Sequence, residues 1–176
     1  PTRRSSDLIG THAGGLTVLH RNSGKMESFN QLNSQLVNEN VYAILPDKGG
    51  NLLLGTLSAL VSFNPEKKSF TTIDKEKDGT PFTSQRITIL FRDSHKRLWV
   101  GGEEGISVFQ QEGIEIEKVP ILPESSVTKT FTNCIYEAAN GIIWVGTREG
   151  FYCFNEKEKK IKRYTTANGL PNNVVY

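Results

Sequence analysis

The segment DKEKDGT at residues 74–80 contains residue types that bind calcium. Its acidic residues alternate as in the first half of the loop D-x-D-x-D-G, where carboxylates converge on one ion and the glycine makes a sharp turn. The second half does not match, because Gln85 stands where a bidentate glutamate would close the coordination sphere and Pro81 intervenes. We therefore predict an Asp-Gly turn between strands and no metal site. The matching residues are Asp74, Glu76, Asp78 and Gly79.

Two tryptophans could bind a sugar, and four glycines could bind a phosphate group. Trp99 and Trp144 have the rings that stack on sugars, but leucine occupies the same position elsewhere in the chain, which favours packing in the core. The glycines are not phosphate-binding, because no predicted helix and no Lys-Ser/Thr pair follows them. We interpret them as glycines at strand ends: Gly10, Gly55, Gly101 and Gly146.

The cysteines and histidines predict neither a disulfide nor a catalytic centre. Cys134 and Cys153 fall on the first and third strands of one predicted sheet, two strand spacings of about 4.8 Å apart, which exceeds the usual limit of about 7 Å between bonded Cα atoms. We expect buried free thiols. The histidines, at positions 12, 20 and 95, lie in unrelated parts of the sequence with no second metal ligand or paired nucleophile. We expect no catalytic residue and no cofactor.

Composition sets the broad class of the protein. The chain has 176 residues, 36% hydrophobic and 23% charged, which is typical of a soluble globular domain. The formal net charge is +2, and Lys and Arg are mixed with Asp and Glu, so we predict no nucleic-acid partner. No apolar run approaches the roughly 18 residues of a transmembrane helix, and we expect no membrane contact by this segment.

The stretch RLWVGGEEGISVFQ at 97–110 has a near copy, IIWVGTREGFYCFN, at 142–155. Aligned on the glycine after each strand, four copies follow one another at intervals of 45, 46 and 45 residues. Each copy has apolar residues with a period of two, arranged as four short strands separated by polar turns. Four antiparallel strands in about 45 residues are typical of a β-propeller blade, so we predict an all-β fold of about four blades.

The repeat resembles the two-component regulator propeller repeat over residues 8–176. The departures are modest: Leu53 and Leu8 replace tryptophan, Gly102 replaces threonine, and Ala138 stands where the other repeats have aspartate. Any apolar residue can fill the layer between blades, so the blade assignment does not depend on them. The strongest matches are Trp99, Val100, Gly101, Trp144, Val145, Gly146, Thr147, Gly150, Asp47, Asp93, Gly169, Leu170 and Pro171.

The resemblance implies a ring that usually has seven blades, so we interpret the chain as an open arc cut from a larger ring, with the missing blades as its partners. Residues 1–7 are treated separately, because TRRSSD matches the translation of a common sequencing adapter and indicates a non-native segment. The predicted partial propeller covers residues 8–176. Its blades span about 8–30, 41–73, 87–119 and 132–165, and residues 173–176 begin the next blade.

Propeller geometry also suggests where a ligand would bind. The loops between second and third strands and the ends of the crossovers converge on one face, while the strands remain packed. Charged and amide side chains there suit hydroxyl-rich or acidic sugars, or another small ligand. The predicted ligand-binding residues are His12, Asn40, Arg86, Glu103, Glu104, Arg148, Glu149 and Asn173.

Three functions remain open at this point. The resemblance implies a periplasmic sensor module of an inner-membrane hybrid two-component system, notably of Bacteroidetes, which detects a glycan and signals to a histidine kinase, with a homodimer in the full-length receptor. A protein-interaction scaffold is the second reading. The third is a propeller lyase, which would need an acid/base pair on one face, and the sequence shows no clustered histidine and carboxylate set. We therefore expect this segment to be non-catalytic.

Overall fold

The structure, a computed structural model, describes residues 6–82, 86–122 and 126–176, without the side chains of residues 126 and 128. In this part the chain forms four antiparallel sheets in sequence order, one of three strands and three of four strands. Residues 1–5 of the segment interpreted as non-native, and Gln85, lie outside the described residues. The other two residues of that segment, Ser6 and Asp7, begin the first strand.

Each sheet is a blade in which consecutive strands are neighbours, so every connection within it is a hairpin. Blade 1 contains β1 (Ser6–Gly10), β2 (Leu16–His20) and β3 (Lys25–Phe29), which correspond to the second, third and fourth strands of the other blades. Blade 2 contains β4 (Val41–Pro46), β5 (Leu52–Thr56), β6 (Leu60–Asn64) and β7 (Ser69–Ile73). Blade 3 contains β8 (Ile87–Arg92), β9 (Leu98–Gly102), β10 (Gly105–Glu112) and β11 (Glu115–Lys118). Blade 4 contains β12 (Thr132–Glu137), β13 (Ile143–Thr147), β14 (Gly150–Asn155) and β15 (Lys160–Tyr164).

Three short 3-10 turns connect these elements: Lys48–Gly50, Ser126–Lys129 and Thr166–Asn168. The last is a capping box, in which the Thr165 side chain accepts a hydrogen bond from the backbone N–H of Ala167 and Gly169 ends the turn with φ of 98°. This turn belongs to the TANGLP sequence that follows blade 4.

The core lies between the blades rather than within one of them. Buried side chains form three clusters, between blades 1 and 2, blades 2 and 3, and blades 3 and 4. Strand β5 shows how one strand serves two clusters: Leu52 and Leu54 pack toward blade 1, and Leu53 packs toward blade 3. A strand buried on both faces reads as a continuous apolar run, which explains the LLLGT and LWVGG sequences.

Trp99 is the largest side chain of the third cluster and is fully buried. Its ring centroid lies 6.3 Å from that of Phe154 in blade 4. The equivalent Trp144 of blade 4 is only half-buried and packs on Phe151 of its own blade, with 5.5 Å between centroids. In the described residues no further sheet covers this face, and the four blades form an open arc.

A glycine on the second strand of each blade is the point of closest approach between blades. A Cβ atom on Gly55 would lie 2.8 Å from the Ile87 carbonyl oxygen and 2.6 Å from Ile87 Cγ2. Residue 87 begins β8, the first strand of the next blade. The first strands β4, β8 and β12 contact one another in turn. The same position recurs at Gly10, Gly55, Gly101 and Gly146, all described residues without a positive φ.

The chain continues this pattern after blade 4. A Cβ on Gly146 would lie 3.1 Å from Val175 Cγ1, as Val41, Ile87 and Thr132 stand near the earlier glycines. The Val175 N–H donates to Thr147 O at 2.9 Å, as Val41 N–H does to Thr11 O at 3.0 Å. Residues 173–176, predicted as a first strand, make these contacts without regular strand pairing.

The close contact at Gly55 predicts whether an alanine there raises or lowers the free energy of unfolding. An alanine that fitted the strand would stabilise the fold by about 0.5–1 kcal/mol relative to glycine. Because Gly55 touches the backbone of the next blade, we expect Gly55→Ala to lower the free energy of unfolding by roughly 1–3 kcal/mol instead. Urea denaturation measures the change, and an equal or higher stability would contradict the contact.

Polar side chains tie the blades together on the side of the arc where first strands join second strands and third strands join fourth. We call this side the turn face. Asp47 of blade 2 accepts hydrogen bonds from Arg92 Nη2 at 3.0 Å and from Gln111 Nε2 at 2.9 Å, both in blade 3. Arg92 also donates to Gln111 Oε1 at 2.6 Å. These partly buried contacts satisfy charges that packing alone would leave unpaired.

A second set of turn-face contacts joins blades 3 and 4. The buried Asp93 carboxylate accepts hydrogen bonds from Arg97 Nε at 2.7 Å and from the Trp99 indole at 2.8 Å. Arg97 then reaches blade 4, where its two terminal nitrogens donate to the two Glu156 oxygens at 2.7 Å each. Ser94 adds a hydrogen bond to Glu137 at 2.6 Å. The aspartate of the repeat therefore orients an arginine that bridges two blades.

The Arg97 pair makes stability depend on pH. Its hydrogen bonds lower the pKa of Glu156 below the ordinary value, so the contribution is present at neutral pH and is lost as pH falls through the folded-state pKa. The Glu156 side chain is 38% exposed, which limits the expected loss in Glu156→Gln to about 1 kcal/mol. We expect this difference from wild type at pH 7 to shrink below a pH of about 4.

Glu158→Gln is the matched control. Glu158 lies two residues away, its side chain is 57% exposed, and it pairs with Lys160. It should leave the free energy of unfolding unchanged at both pH values in parallel urea titrations. A Glu156→Gln deficit of the same size at pH 3 and pH 7 would show that the carboxylate charge is not responsible.

Candidate functional site

The face opposite the turn face carries the loops between second and third strands and the ends of the crossovers between blades. We call it the loop face. The loops of blades 1 and 4 follow Gly10 and Gly146 and end at Gly15 and Gly150, whose φ values are 76° and 119°. A Cβ at either position would collide with a backbone carbonyl oxygen of the last strand of the blade. These glycines keep the loops short and close to the blade.

A bulge at the start of each first strand directs one side chain out of the packed layer. The register shifts between Val41 and Ala43 in β4, and equivalent shifts occur in β8 and β12. An extra residue in a strand re-aims its side chain and locally interrupts the pairing. The three bulged residues, all at the inner edge of the loop face, are Tyr42, Thr88 and Asn133.

Two of the bulged residues hold the neighbouring blade. Thr88 Oγ1 donates to Thr132 O at 2.9 Å, and Asn133 Nδ2 donates to Val175 O at 2.8 Å. Each acceptor is on the residue that begins the next first strand or its equivalent. Tyr42 has no such bond in the described part of the chain and makes aromatic contacts instead.

Three predicted ligand-binding residues come together around Tyr42. The His12 ring centroid lies 6.5 Å from the Tyr42 centroid, and Arg86 Cζ lies 5.7 Å from it. Asn40 Oδ1 accepts the Ala13 N–H at 3.0 Å and so fixes the loop that carries His12. These residues come from three consecutive blades or their crossovers. The packing of each blade against the next brings them together.

The predicted residues of blades 3 and 4 have different surroundings. Glu103 and Glu104 are exposed on their loop. Arg148 Cζ lies 4.0 Å above the Phe131 ring, a cation-π contact at the same edge of the loop face. Glu149 pairs with Arg163, with 3.3 Å between Oε2 and Nη2.

Asn173 contributes to the backbone framework. Its Oδ1 accepts the Thr166 N–H at 2.8 Å, and its carbonyl oxygen accepts the Gly150 N–H at 2.6 Å. Asn40 has a similar supporting bond to Ala13. The two asparagines at the crossover ends therefore use their side-chain oxygens to fix loops, and Asn40 Nδ2 also donates to Asn38 Oδ1 at 3.2 Å.

Sequence reasoning missed Tyr42 and Phe131, the two aromatic residues of the loop face. A signal for Tyr42 was present: the second residue of the first strands is Tyr, Thr or Asn in otherwise apolar sequences. A polar residue at a fixed position of a buried strand indicates a local break in alternation, here a bulge. Phe131 precedes β12 directly, and only the structure shows that Arg148 covers it.

The calcium-like segment forms a compact turn. Asp78 Oδ1 accepts the Thr80 N–H at 2.9 Å, and this bond lowers the pKa of Asp78 below its ordinary value. Gly79 has φ of 88°, and Glu76 Oε2 accepts the Lys118 N–H at 3.0 Å. In the described residues no group of three or more His, Cys, Asp or Glu side chains is arranged to hold a metal ion.

Both cysteines are free thiols, as expected, but the expectation of full burial was wrong. Cys134 and Cys153 are half-buried, because they lie on the side of blade 4 that also carries Trp144, and no sheet of the described residues packs on that side. Partial burial raises the pKa of the Cys153 thiol, and the nearby Lys162 acts in the opposite direction.

Comparison with known proteins finds a family match in one repeat and a more distant relative over about half of the chain. The sequence signature of the two-component regulator propeller family matches residues 125–149. Histidine kinase P4 of Formosa agariphila is 29% identical over 93 residues, which are 52% of this chain and 7% of that protein. The match thus covers a small part of the relative.

Solved structures share the fold. The extracellular domain described as hybrid two-component system BT4673 from B. thetaiotaomicron superposes with a TM-score of 0.77 at 19% identity, covering 97% of this chain and 23% of that one. The corresponding domain of BT3049 from the same organism gives a TM-score of 0.69 at 20% identity, covering 92% and 22%. This chain spans less than a quarter of each.

None of the helices in the described part of the chain has the length and hydropathy needed to span a bilayer. The repeat period, the blade order and the structural relatives agree on a propeller fold, and the family signature matches one of its repeats. Residues 125–149 match the two-component regulator propeller repeat, and the chain is similar in fold to extracellular domains described as parts of hybrid two-component systems.

Proposed function

We propose that this chain is part of the periplasmic sensor domain of a hybrid two-component histidine kinase, from a member of the Bacteroidetes, and that its loop face binds an oligosaccharide. The observation that carries the proposal is the sequence similarity to the histidine kinase of F. agariphila. The extracellular domains of similar fold support it. The histidine kinase and the response regulator would lie in other parts of the receptor.

The small share of its relatives that the chain covers supports a larger ring. An open arc exposes Trp144 and Phe151 on blade 4, which a further blade would bury as blade 4 buries Trp99. In a complete receptor, further blades of the same polypeptide would supply that surface, and pairs of receptors would form a homodimer that transmits the signal.

The loop face supports ligand binding by the chemistry of its side chains. It combines aromatic rings, Tyr42 and Phe131, with exposed carboxylates and two arginines, and such groups stack on sugar rings and hydrogen-bond to hydroxyl groups. The turn face differs, because Asp47, Arg92, Arg97 and Glu156 are used there in bonds between blades. We propose binding and no catalysis at the loop face.

Loss of the exposed carboxylates tests this assignment. In the complete ectodomain, we expect Glu103→Gln with Glu104→Gln to weaken binding of the recognised oligosaccharide about tenfold, equivalent to about 1.4 kcal/mol. The reason is the loss of charged acceptors for sugar hydroxyl groups. A glycan panel screened by thermal shift identifies the ligand, and isothermal titration calorimetry measures Kd for each variant.

Glu66→Gln is the control, an exposed carboxylate between β6 and β7 on the turn face. It should leave Kd unchanged. Equal affinities in wild type and the loop-face variant would contradict loop-face binding. An ectodomain that ignores every glycan but captures a protein partner through the same loops would instead support an interaction scaffold.

A further inference from the structure

We propose that Arg86, Tyr42 and His12 form a subsite for a negatively charged sugar, one that bears a carboxylate or a sulfate group. This inference rests on the proposed oligosaccharide site of the loop face and adds the charge of the ligand. The subsite is centred on the Tyr42 ring, whose centroid lies 6.5 Å from that of His12 and 5.7 Å from Arg86 Cζ.

Arg86 is distinguished from most arginines of the chain by its partners. The described arginines at positions 21, 92, 97 and 163 each pair with a carboxylate. In the described part of the chain no carboxylate pairs with Arg86, which is half-buried and contacts the Tyr42 ring instead. A half-buried guanidinium without a counter-ion binds a carboxylate or sulfate strongly, because its planar fork matches their oxygens.

The backbone holds Arg86 in place. Its φ is 46°, an unusual value for a residue other than glycine, and its N–H donates to Leu57 O at 2.8 Å. Left-handed backbone at a non-glycine residue is unfavourable and persists where surrounding contacts impose it. The backbone of Arg86 is therefore held in place by the contacts of the chain itself.

The His12 loop is fixed in a similar way. Thr11 N–H donates to Gly15 O at 3.0 Å, and Gly15 N–H donates to Glu39 O at 2.8 Å. Asn40 closes the loop through the Ala13 N–H. Preorganised donors lose little conformational entropy on binding, which favours affinity at a small site.

Two acidic residues of the neighbouring loops have other surroundings. The Glu39 carboxylate accepts the Gln31 N–H at 3.3 Å. Glu103 is exposed in the loop of blade 3, and neither residue pairs with Arg86 or His12 in the described part of the chain. The aromatic ring supplies a stacking surface for the sugar, while Arg86 supplies the charge.

The experiment compares three galactose-based probes that differ in charge: tetragalacturonate, a singly sulfated galactose tetrasaccharide and neutral galactotetraose. Binding to the ectodomain is measured by calorimetry at low and high salt. We expect at least one charged probe to bind about tenfold more tightly than the neutral probe, and high salt to reduce that preference. Which charged probe binds decides between carboxylate and sulfate.

Arg86→Gln should remove the preference, with a loss of about tenfold for the charged probe and no change for galactotetraose. Arg86→Lys should retain part of it, because it keeps the charge but loses the planar fork. Lys67→Gln, in the exposed turn between β6 and β7, is the control that removes one positive charge from the other face. Unchanged thermal unfolding shows that each variant is folded.

The outcomes separate this inference from the proposed function. Equal loss in Arg86→Gln and Lys67→Gln would indicate a general charge effect and overturn the subsite. Tight binding of galactotetraose that depends on Glu103 and Glu104 but not on Arg86 would overturn the subsite and leave the loop-face sensor standing. Binding of no sugar at all would overturn both.

Discussion

The close contact between one blade's second strand and the next blade's first strand is the constraint on which the remaining structure depends. At Gly55 the carbonyl oxygen of Ile87 occupies the space that a side chain would need. This contact sets the distance between blades, and the same distance lets Leu53 and Trp99 fill the layers between them. The bulged residues then lie beside the contact, where the first strands are nearest to one another.

The two faces of the arc use charge differently. On the turn face, Arg97 donates hydrogen bonds to Asp93 and Glu156. Asp47 accepts hydrogen bonds from Arg92 and Gln111, so these groups hold neighbouring blades together. On the loop face, Arg86 and Arg148 contact aromatic rings rather than carboxylates in the described residues. The arginines of the turn face that bridge blades are occupied by carboxylates, whereas Arg86 and Arg148 are not, and this difference supports binding at the loop face.

The repeat in the sequence was enough to predict blades of four strands, because the apolar period of two and the glycine spacing are local properties of the chain. It also predicted which loops share a face. It did not predict the half-burial of Trp144 and the two cysteines, since burial on that side depends on whether another sheet covers it. Nor did it predict Tyr42 at the centre of a cluster, because a bulge depends on pairing between strands.

The sequence by itself determined the strands, their hairpins and the position of each glycine, since these follow from residue type and spacing within about 45 residues. The tertiary structure alone decided which side chains meet across blades: Arg97 with Glu156, and Tyr42 with His12 and Arg86. These partners are separated by 30 to 59 residues, and only the packing of one blade against the next brings them within contact distance.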